Sequence, residues 1–212
     1  MRSVRSSRSD RARRIVAALA RTYAEAECAL VHSNALGLLV ATILSAQCTD
    51  VRVNLVTGGL FKKYRTFDDY VHADRKAFEQ DIHSTGIYRN KAKNILAAAK
   101  MLKEKFGGKI PRTMEELLEL PGVDRKTGNI VLGNAYGIVE GIAVDTHVKR
   151  LARVLGLSRE ENPEKIEQEL MQIFPKKEWF TLTYRLIDYG RKYCTARPHD
   201  HAKCPLTAIA GQ

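Results

Sequence analysis

One lysine and one aspartate have side chains whose positions need a chemical explanation. Lys126 follows the turn Pro121-Gly122, and Asp145 lies 19 residues further along the chain. The positive end of the helix dipole lies at the first turn of a helix, so acidic side chains are favoured there and basic ones are not. A lysine at this place is better explained by chemistry than by stability, and an unprotonated lysine amine is a nucleophile.

The segment around Lys126 is predicted to form a helix, a hairpin and a second helix. Residues 114–120 have the pattern of a short helix behind Thr113, a good N-cap, and Pro121-Gly122 ends that helix in a tight turn. A glycine hairpin that leads into a helix points backbone N–H groups outward at the positive end of the dipole, which suits a phosphate. The alternative is an ordinary turn without function, because Pro-Gly turns between helices are common.

Asp145 also has a purely structural interpretation. A helix is predicted at residues 146–156, and Asp145 stands directly before it, where an aspartate is a good N-cap. A capping carboxylate keeps its negative charge and can still stabilise a developing cation. Capping and catalysis can therefore coexist at this position.

The composition favours a polyanionic partner. The 212 residues include 35 Lys and Arg against 24 Asp and Glu, a net charge of +11, which indicates nucleic acid above all. The length suffices for a buried core in one large or two small domains. No apolar run approaches the roughly 18–20 residues that a membrane helix needs, and four cysteines in a chain of this length indicate reduced thiols in a cytoplasmic protein.

Helical periodicity predicts an all-α fold class. Residues 1–14 hold six arginines and are expected to form a basic, disordered tail with loose phosphate contacts; an Arg/Ser-rich organelle transit peptide is the alternative. Ile15, Leu19 and Tyr23 recur at helical spacing and predict a first amphipathic helix from Asp10 to about Tyr23. Further helices are expected at residues 34–47, within 50–106, and at 114–136, 146–156, 162–174 and about 179–193, followed by an irregular tail at 194–212.

Four stretches resemble the endonuclease III family of DNA glycosylases, within the helix-hairpin-helix superfamily. Residues 120–128 are similar to the family's Leu-Pro-Gly-Val-Gly-Arg-Lys-Thr-Ala, and residues 143–148 match its catalytic-acid segment. Residues 43–50 resemble its Leu-Leu-Ser-Ala-Gln-Ala-Thr-Asp, and residues 85–88 resemble its Ile-Gly-Leu-Tyr loop. Asp124 departs from the pattern, since the usual residue is a second glycine; aspartate tolerates left-handed backbone, but its charge opposes a phosphate.

The resemblance implies an architecture of two helical domains with a cleft between them. Residues 34–141 would form a helical barrel that carries the helix-hairpin-helix at 114–136, and residues 15–33 would pack with residues 142–212. Lys126 and Asp145 would then face each other across the cleft, one from each domain.

The resemblance also implies a base excision repair enzyme that removes damaged pyrimidines, expected to be oxidised ones, and cuts the abasic strand by β-elimination through a lysine Schiff base. Lys126 would be the nucleophile, as in the bifunctional members, and Asp145 the carboxylate that stabilises the cationic sugar. A glycosylase for another lesion or mismatch, or mainly an abasic-site lyase, is the alternative among enzymes. The alternative from another class is a DNA-binding module that uses the hairpin only as a phosphate clamp.

The same resemblance assigns DNA-contacting residues. Gln47 would fill the gap left by a flipped nucleotide, and Ile87 would wedge into the base stack, although an apolar loop tip is more often a core plug. Arg89, Lys91 and Lys93 could steer phosphate, although such charges are often just a solvated helix face. The remaining expected contacts lie in the hairpin, at Gly122, Val123, Arg125 and Thr127.

The C-terminal tail departs from the family pattern. Many relatives hold a [4Fe–4S] cluster with the spacing Cys-x6-Cys-x2-Cys-x5-Cys, but counting from Cys194 gives His201, Cys204 and Ala210. Because such clusters need four ligands, nearly always thiolates, no cluster and no other cofactor is expected. Zinc held by Cys194, His199, His201 and Cys204 is a minor alternative, since the spacing is not that of a standard finger. The expected partner is double-stranded DNA with damaged bases or abasic sites, bound by a monomer at the nucleoid.

Overall fold

The computed structural model describes residues 7–210, and all regular secondary structure in that range is helical. In chain order the α-helices are α1 (Arg8–Thr22), α2 (Ala35–Leu44), α3 (Asp50–Lys63), α4 (Phe67–Val71), α5 (Arg75–Asp81), α6 (Tyr88–Phe106), α7 (Met114–Leu118), α8 (Arg125–Tyr136), α9 (Thr146–Val154), α10 (Pro163–Ile173), α11 (Trp179–Lys192) and α12 (Pro205–Ala210). Short 3-10 helices lie at His83–Thr85, Lys176–Glu178 and His201–Lys203. The prediction of an all-α fold is confirmed.

The chain divides into two units. We call them the central unit, Cys28–Ile138, and the terminal unit, which joins Met1–Glu27 to Val139–Gln212. Helices α2 to α8 belong to the central unit, and α1 with α9 to α12 belongs to the terminal unit. The expected boundaries, after residues 33 and 141, lie a few residues later than those of the structure.

Polar side chains cap most of the helix N-termini. The residue before the helix accepts a hydrogen bond from a first-turn N–H at α1 to α5 and at α7 to α10, which satisfies a donor that has no partner within the helix. The predicted caps Thr113 and Asp145 are confirmed. These starting points are therefore specified locally by the sequence.

Helix α2 forms the buried centre of the central unit. Every residue from Leu36 to Leu44 is buried, as the unbroken apolar run predicts. It packs against α3, α6 and α8, and α6 packs in turn on α4 and α5. The loop that follows α2, the loop that precedes α6 and the start of α8 are therefore all attached to one packed core.

Helix α1 is packed into the core of the terminal unit. Ala12 and Ile15 are fully buried, and the Arg11 guanidinium donates to the carbonyl of Gly156 at 2.8 Å. The helix predicted from Asp10 to about Tyr23 is confirmed and begins two residues earlier, at Arg8. The overlapping expectation of a disordered tail is therefore wrong for residues 8–14, because burial of this apolar face stabilises the helix. Residues 1–6, the remainder of that expectation, lie outside the described range.

The C-terminal segment is more regular than the sequence indicates. A 3-10 helix at His201–Lys203 leads into α12, which packs on α1. Leu206 and Ala210 are almost completely buried in the core of the terminal unit, so the expectation of an irregular tail from residue 194 is wrong for this part. Within the range 7–210, no helix is long and apolar enough to cross a membrane.

Candidate active site

The hairpin before Lys126 requires a glycine at position 122 for two reasons. Gly122 has φ +80°, in the left-handed region that disfavours side chains. A Cβ there would also lie 2.8 Å from the Cβ of Asn94 in α6, which is closer than packed atoms come. The backbone N–H of Val123 donates to the carbonyl of Leu120 at 3.1 Å and closes the turn. The turn is therefore held against α6 as well as by its own hydrogen bonds.

Asp124 serves as the N-cap of α8. Its carboxylate accepts from the backbone N–H of Thr127 at 2.7 Å. Its φ of −101° is ordinary extended backbone, so the tolerance of aspartate for left-handed geometry is not needed here. The carboxylate accepts from a first-turn N–H that could otherwise bind an anion. Asp124 itself is exposed beside the start of the helix.

Lys126 is a half-buried residue in the first turn of α8, two residues after the cap. Its position is fixed by close packing behind it: a Cβ on Gly128 would lie 2.5 Å from the sulfur of Met114 in α7. A side chain at position 128 would therefore require the Met114 side chain to move. The start of α8, which carries Lys126, is packed against α7 at this point.

Asp145 is the N-cap of α9 and is half-buried. One carboxylate oxygen accepts from the backbone N–H of Val148 at 2.8 Å. The chain that leads to it is fixed as well, because Val144 is buried and the Thr183 hydroxyl donates to the carbonyl of Ala143 at 3.0 Å. The predicted cap is confirmed, and it orients the carboxylate.

Gln47 and Ile87 share an unusual backbone conformation. They are the only residues other than glycine with positive φ in the described range 7–210, at 51° and 46°. Left-handed backbone is unfavourable for any side chain with a Cβ and is a real outlier for a β-branched residue. Both side chains are exposed, and that of Ile87 is 52 % exposed although it is large and apolar. Strained, exposed residues of this kind are typical of functional sites rather than of core packing.

Lys91 connects the two loops that carry Gln47 and Ile87. Its ammonium is buried in the central unit and donates to the carbonyl of Leu44 at 2.8 Å and to that of Thr85 at 2.7 Å. The first carbonyl lies three residues before Gln47, and the second lies two residues before Ile87. Burial lowers the pKa of this ammonium below its ordinary value. The ammonium therefore acts as an internal cross-link between the loops.

This geometry corrects the expectation that Lys91 steers phosphate, because its charge is buried and already bound to backbone carbonyls. The sequence did contain a signal for the correct role. Lys91 falls on the same helical stripe as Ile95, Ala98 and Leu102, all of which are buried in α6. A lysine on an apolar stripe indicates a buried charge that needs partners.

The other expected DNA contacts divide into exposed and buried residues. Arg89 and Lys93 are exposed on the first turns of α6, next to Ile87, and Gly122 is exposed at the hairpin. Arg125 is half-buried. Val123 and Thr127 are buried, and the N–H groups of both already donate within the hairpin. These two residues hold the turn, and their contact with DNA stays a prediction.

The C-terminal segment contains a group of side chains that could bind a metal: Cys194, His199, His201 and Cys204. It does not fit the four-cysteine cluster that the family resemblance raised. Of the four positions with the family spacing, His201 and Ala210 are not cysteines. A [4Fe–4S] cluster is held by four thiolates, and an alanine offers no ligand at all.

Comparison with known proteins places the hairpin within a match to a DNA repair family. Residues 40–176 match the HhH-GPD superfamily base excision DNA repair proteins. Endonuclease III of Synechocystis sp. is 47% identical over 204 residues, which cover 96% of this chain and 93% of the relative. Endonuclease III of Bacillus subtilis is 48% identical over 188 residues, covering 88% and 85%.

A solved structure extends the similarity to three dimensions. The structure of a trapped endonuclease III–DNA covalent intermediate has a TM-score of 0.90 and 44% identity, and the match covers 95% of this chain and 94% of the other. The family match over residues 40–176 spans the hairpin, the two exposed loops and the segment that contains Asp145. The chain belongs to the HhH-GPD superfamily of base excision DNA repair proteins and, within it, to the endonuclease III family.

Proposed function

We propose that Lys126 is the nucleophile and Asp145 the supporting carboxylate of this enzyme. As a member of the endonuclease III family, the chain is a bifunctional DNA glycosylase and abasic-site lyase that acts on damaged pyrimidines. The observation that carries the residue assignment is the position of Lys126, in the first turn of α8 directly behind a closely packed glycine hairpin. A lysine there has no capping or dipole role that would explain it.

Lys126 and Asp145 have different roles in the proposed reaction. The Lys126 nitrogen bonds to C1′ of the sugar as the bond to the base breaks, and the base departs with that electron pair and takes up a proton. The sugar carries positive charge as this happens, and the Asp145 carboxylate stabilises that charge. Opening of the sugar ring leaves a protonated imine between Lys126 and C1′. Loss of a proton from C2′ then expels the 3′-phosphate, which cuts the strand.

Two exposed residues are proposed to support the extrusion of the damaged nucleotide. Removing a base from the duplex costs a few kcal/mol, and contacts that replace the lost stacking offset part of this cost. Ile87 is assigned as the wedge and Gln47 as the residue that fills the vacated space. Their left-handed backbone and exposure, together with the Lys91 cross-link, support the assignment. Arg89, Lys93, Gly122 and Arg125 are proposed to contact phosphate.

The remaining features of the proposal concern partner and setting. The partner is double-stranded DNA with a damaged base or an abasic site, bound by a monomer at the nucleoid in the cytoplasm. The net charge of +11 supports a polyanionic partner. We also propose that the chain carries no [4Fe–4S] cluster, because the residues at the family positions cannot supply four thiolates.

The test is covalent trapping with borohydride, which reduces the imine to a stable amine. A panel of duplexes carries an oxidised pyrimidine, a mismatch or a preformed abasic site. We expect trapping and strand cutting with the first and third duplexes, and loss of both in Lys126→Gln while DNA binding persists. Lys76→Gln, which removes an exposed lysine of the same unit on α5, is the control and should trap normally.

Each outcome identifies a different function. An undiminished trapped adduct in Lys126→Gln would show that another amine is the nucleophile. Trapping only with the mismatch or only with the abasic site would change the substrate to another lesion class or to the lyase reaction alone. Binding without any base release or cutting would leave a DNA-binding module.

A further inference from the structure

Four side chains converge where the C-terminal segment joins α11. Sulfur atoms of Cys194 and Cys204 and ring nitrogens of His199 and His201 all lie within 4.8 Å of one another. The Cys194 sulfur is 3.5 Å from His201 Nδ1, and His199 Nε2 is 3.3 Å from the Cys204 sulfur. A tetrahedral zinc ion, with bonds of about 2.3 Å to sulfur and 2.0–2.1 Å to nitrogen, would hold such a pair about 3.6 Å apart.

The second ring nitrogen of His199 has the partner that a metal ligand needs. His199 Nδ1 lies 2.7 Å from the carbonyl of Arg197, which can only accept, so this nitrogen carries the proton and donates. Nε2, the other ring nitrogen, lies 3.3 Å from the Cys204 sulfur and is the atom that would bind a metal. Histidine ligands of metals generally donate their other ring N–H to a carbonyl or carboxylate in this way, which fixes tautomer and orientation.

The two cysteines are free thiols in a dry setting. Cys194 is 0% exposed and Cys204 is 2% exposed, and neither forms a disulfide. The protein's other two cysteines, Cys28 and Cys48, lie in the central unit. Hydrophobic packing alone does not explain why two buried thiols lie beside two histidines. Thiolates and imidazoles are the ligands that zinc prefers.

We infer that Cys194, His199, His201 and Cys204 bind one zinc ion in a closed, structural site. A two-iron cluster with cysteines on one iron and histidines on the other would separate each sulfur from the nitrogens by the width of the cluster. Here each sulfur lies within 3.3 or 3.5 Å of a nitrogen, which fits a single ion. All four positions of the tetrahedron are filled by the protein, so the ion has no place for a substrate or a reactive water.

The role of the ion follows from what the four ligands connect. Cys194 follows the end of α11, whereas Cys204 directly precedes α12. Leu206 and Ala210 of α12 are buried in the terminal core, and α12 packs on α1. Zinc would therefore fasten the final segment to the terminal unit, in addition to the apolar packing of α12.

The direct test is the metal content of the full-length protein, purified in the presence of zinc chloride and then dialysed. We expect about one zinc ion and no iron per chain, as for a closed four-ligand site. Cys204→Ser should weaken zinc binding by at least the roughly 10–100-fold that loss of a supporting hydrogen bond costs in other sites. Cys28→Ser, which alters a thiol of the central unit, is the matched control and should retain zinc.

A second measurement does not depend on a variant that could misfold. Cobalt(II) added to metal-free wild-type protein should give the visible bands of tetrahedral cobalt and a thiolate charge-transfer band of an intensity suited to two sulfurs. Zinc should displace it, and chelation should lower the melting temperature. Absence of bound metal, iron as the bound metal, or a Cys194–Cys204 disulfide in protein purified under reducing conditions would each overturn the inference.

Discussion

Replacement of Ile87 by glycine separates the two roles that an apolar loop tip can have. If Ile87 is a core plug, its removal destabilises the fold. If it is a wedge for the base stack, its removal should cost activity and leave stability nearly unchanged. The structure favours the second outcome, since the side chain is 52% exposed and its φ is +46°.

The expected change in stability can be worked out from these two values. Glycine relieves a left-handed strain of about 1–2 kcal/mol. Burying an isoleucine side chain fully is worth about 1.5–3 kcal/mol, so a half-exposed one loses about 1 kcal/mol on truncation. Glycine adds about 0.5–1 kcal/mol of entropy to the unfolded chain. The net change lies within about 1 kcal/mol of zero, or about 2–4 °C in melting temperature for a chain of this size.

The expected change in activity has the opposite character. If the wedge offsets about 1.4 kcal/mol of the cost of flipping, its loss slows base excision about tenfold. Strand cutting at a preformed abasic site should be affected less, because no base has to be removed from the stack. Single-turnover rates on the two duplexes, measured well below the melting temperature, give both values per folded molecule.

Two further variants calibrate the experiment. Ile87→Ala removes the wedge but keeps the strain. After the chain entropy of glycine is subtracted from the relieved strain, Ile87→Ala should be less stable than Ile87→Gly by up to about 1.5 kcal/mol, the reverse of the usual order. Ile82→Ala truncates a fully buried neighbour and should cost about 2–5 kcal/mol. A loss of stability in Ile87→Gly as large as in Ile82→Ala, or unchanged base excision, would refute the reasoning.

Three other changes test the remaining assignments. Asp145→Asn keeps a good helix cap and should melt normally while single-turnover base release falls by about 100-fold or more. Lys91→Met leaves two buried carbonyls without a charged donor. Such hydrogen bonds stabilise the fold by about 1.5–3 kcal/mol each, partly offset by the cost of burying the charge. Denaturant unfolding should therefore show a loss of stability of about 2–4 kcal/mol in Lys91→Met and none in Lys93→Met. Arg89→Gln should reduce the slope of log affinity against log salt by about 1, whereas Lys76→Gln, exposed on α5, should not.

Each of these expectations has a result that would contradict it. A lower melting temperature with normal turnover in Asp145→Asn would leave only the capping role. Equal stability of Lys91→Met and wild type would remove the cross-link between the two loops. An unchanged salt slope in Arg89→Gln would show that this guanidinium does not contact phosphate.

Features that depend on near neighbours in the chain could be predicted from the sequence. The caps Thr113 and Asp145, the buried helix α2 and the glycine hairpin all follow from residue types a few positions apart. Local hydrogen bonds and helical periodicity determine such features, and both depend on residue types only a few positions apart. Family membership was equally accessible, because it depends on short motifs in a given order.

Features that depend on distant segments were decided only by the tertiary structure. Lys91 is an internal cross-link rather than a phosphate contact because packing of α2 against α6 brings the carbonyl of Leu44 to its ammonium. Residues 8–14 are helical because the terminal core buries Ala12. The cysteines and histidines of the tail could be counted in the sequence, but their convergence within 4.8 Å depends on how the chain after α11 folds back. For Lys91 and α1 the deciding free energy comes from contacts between residues far apart in the chain, which no local pattern records. The residues of the tail group are near one another in the chain, but the path of an irregular segment has no periodic pattern from which their convergence could be predicted.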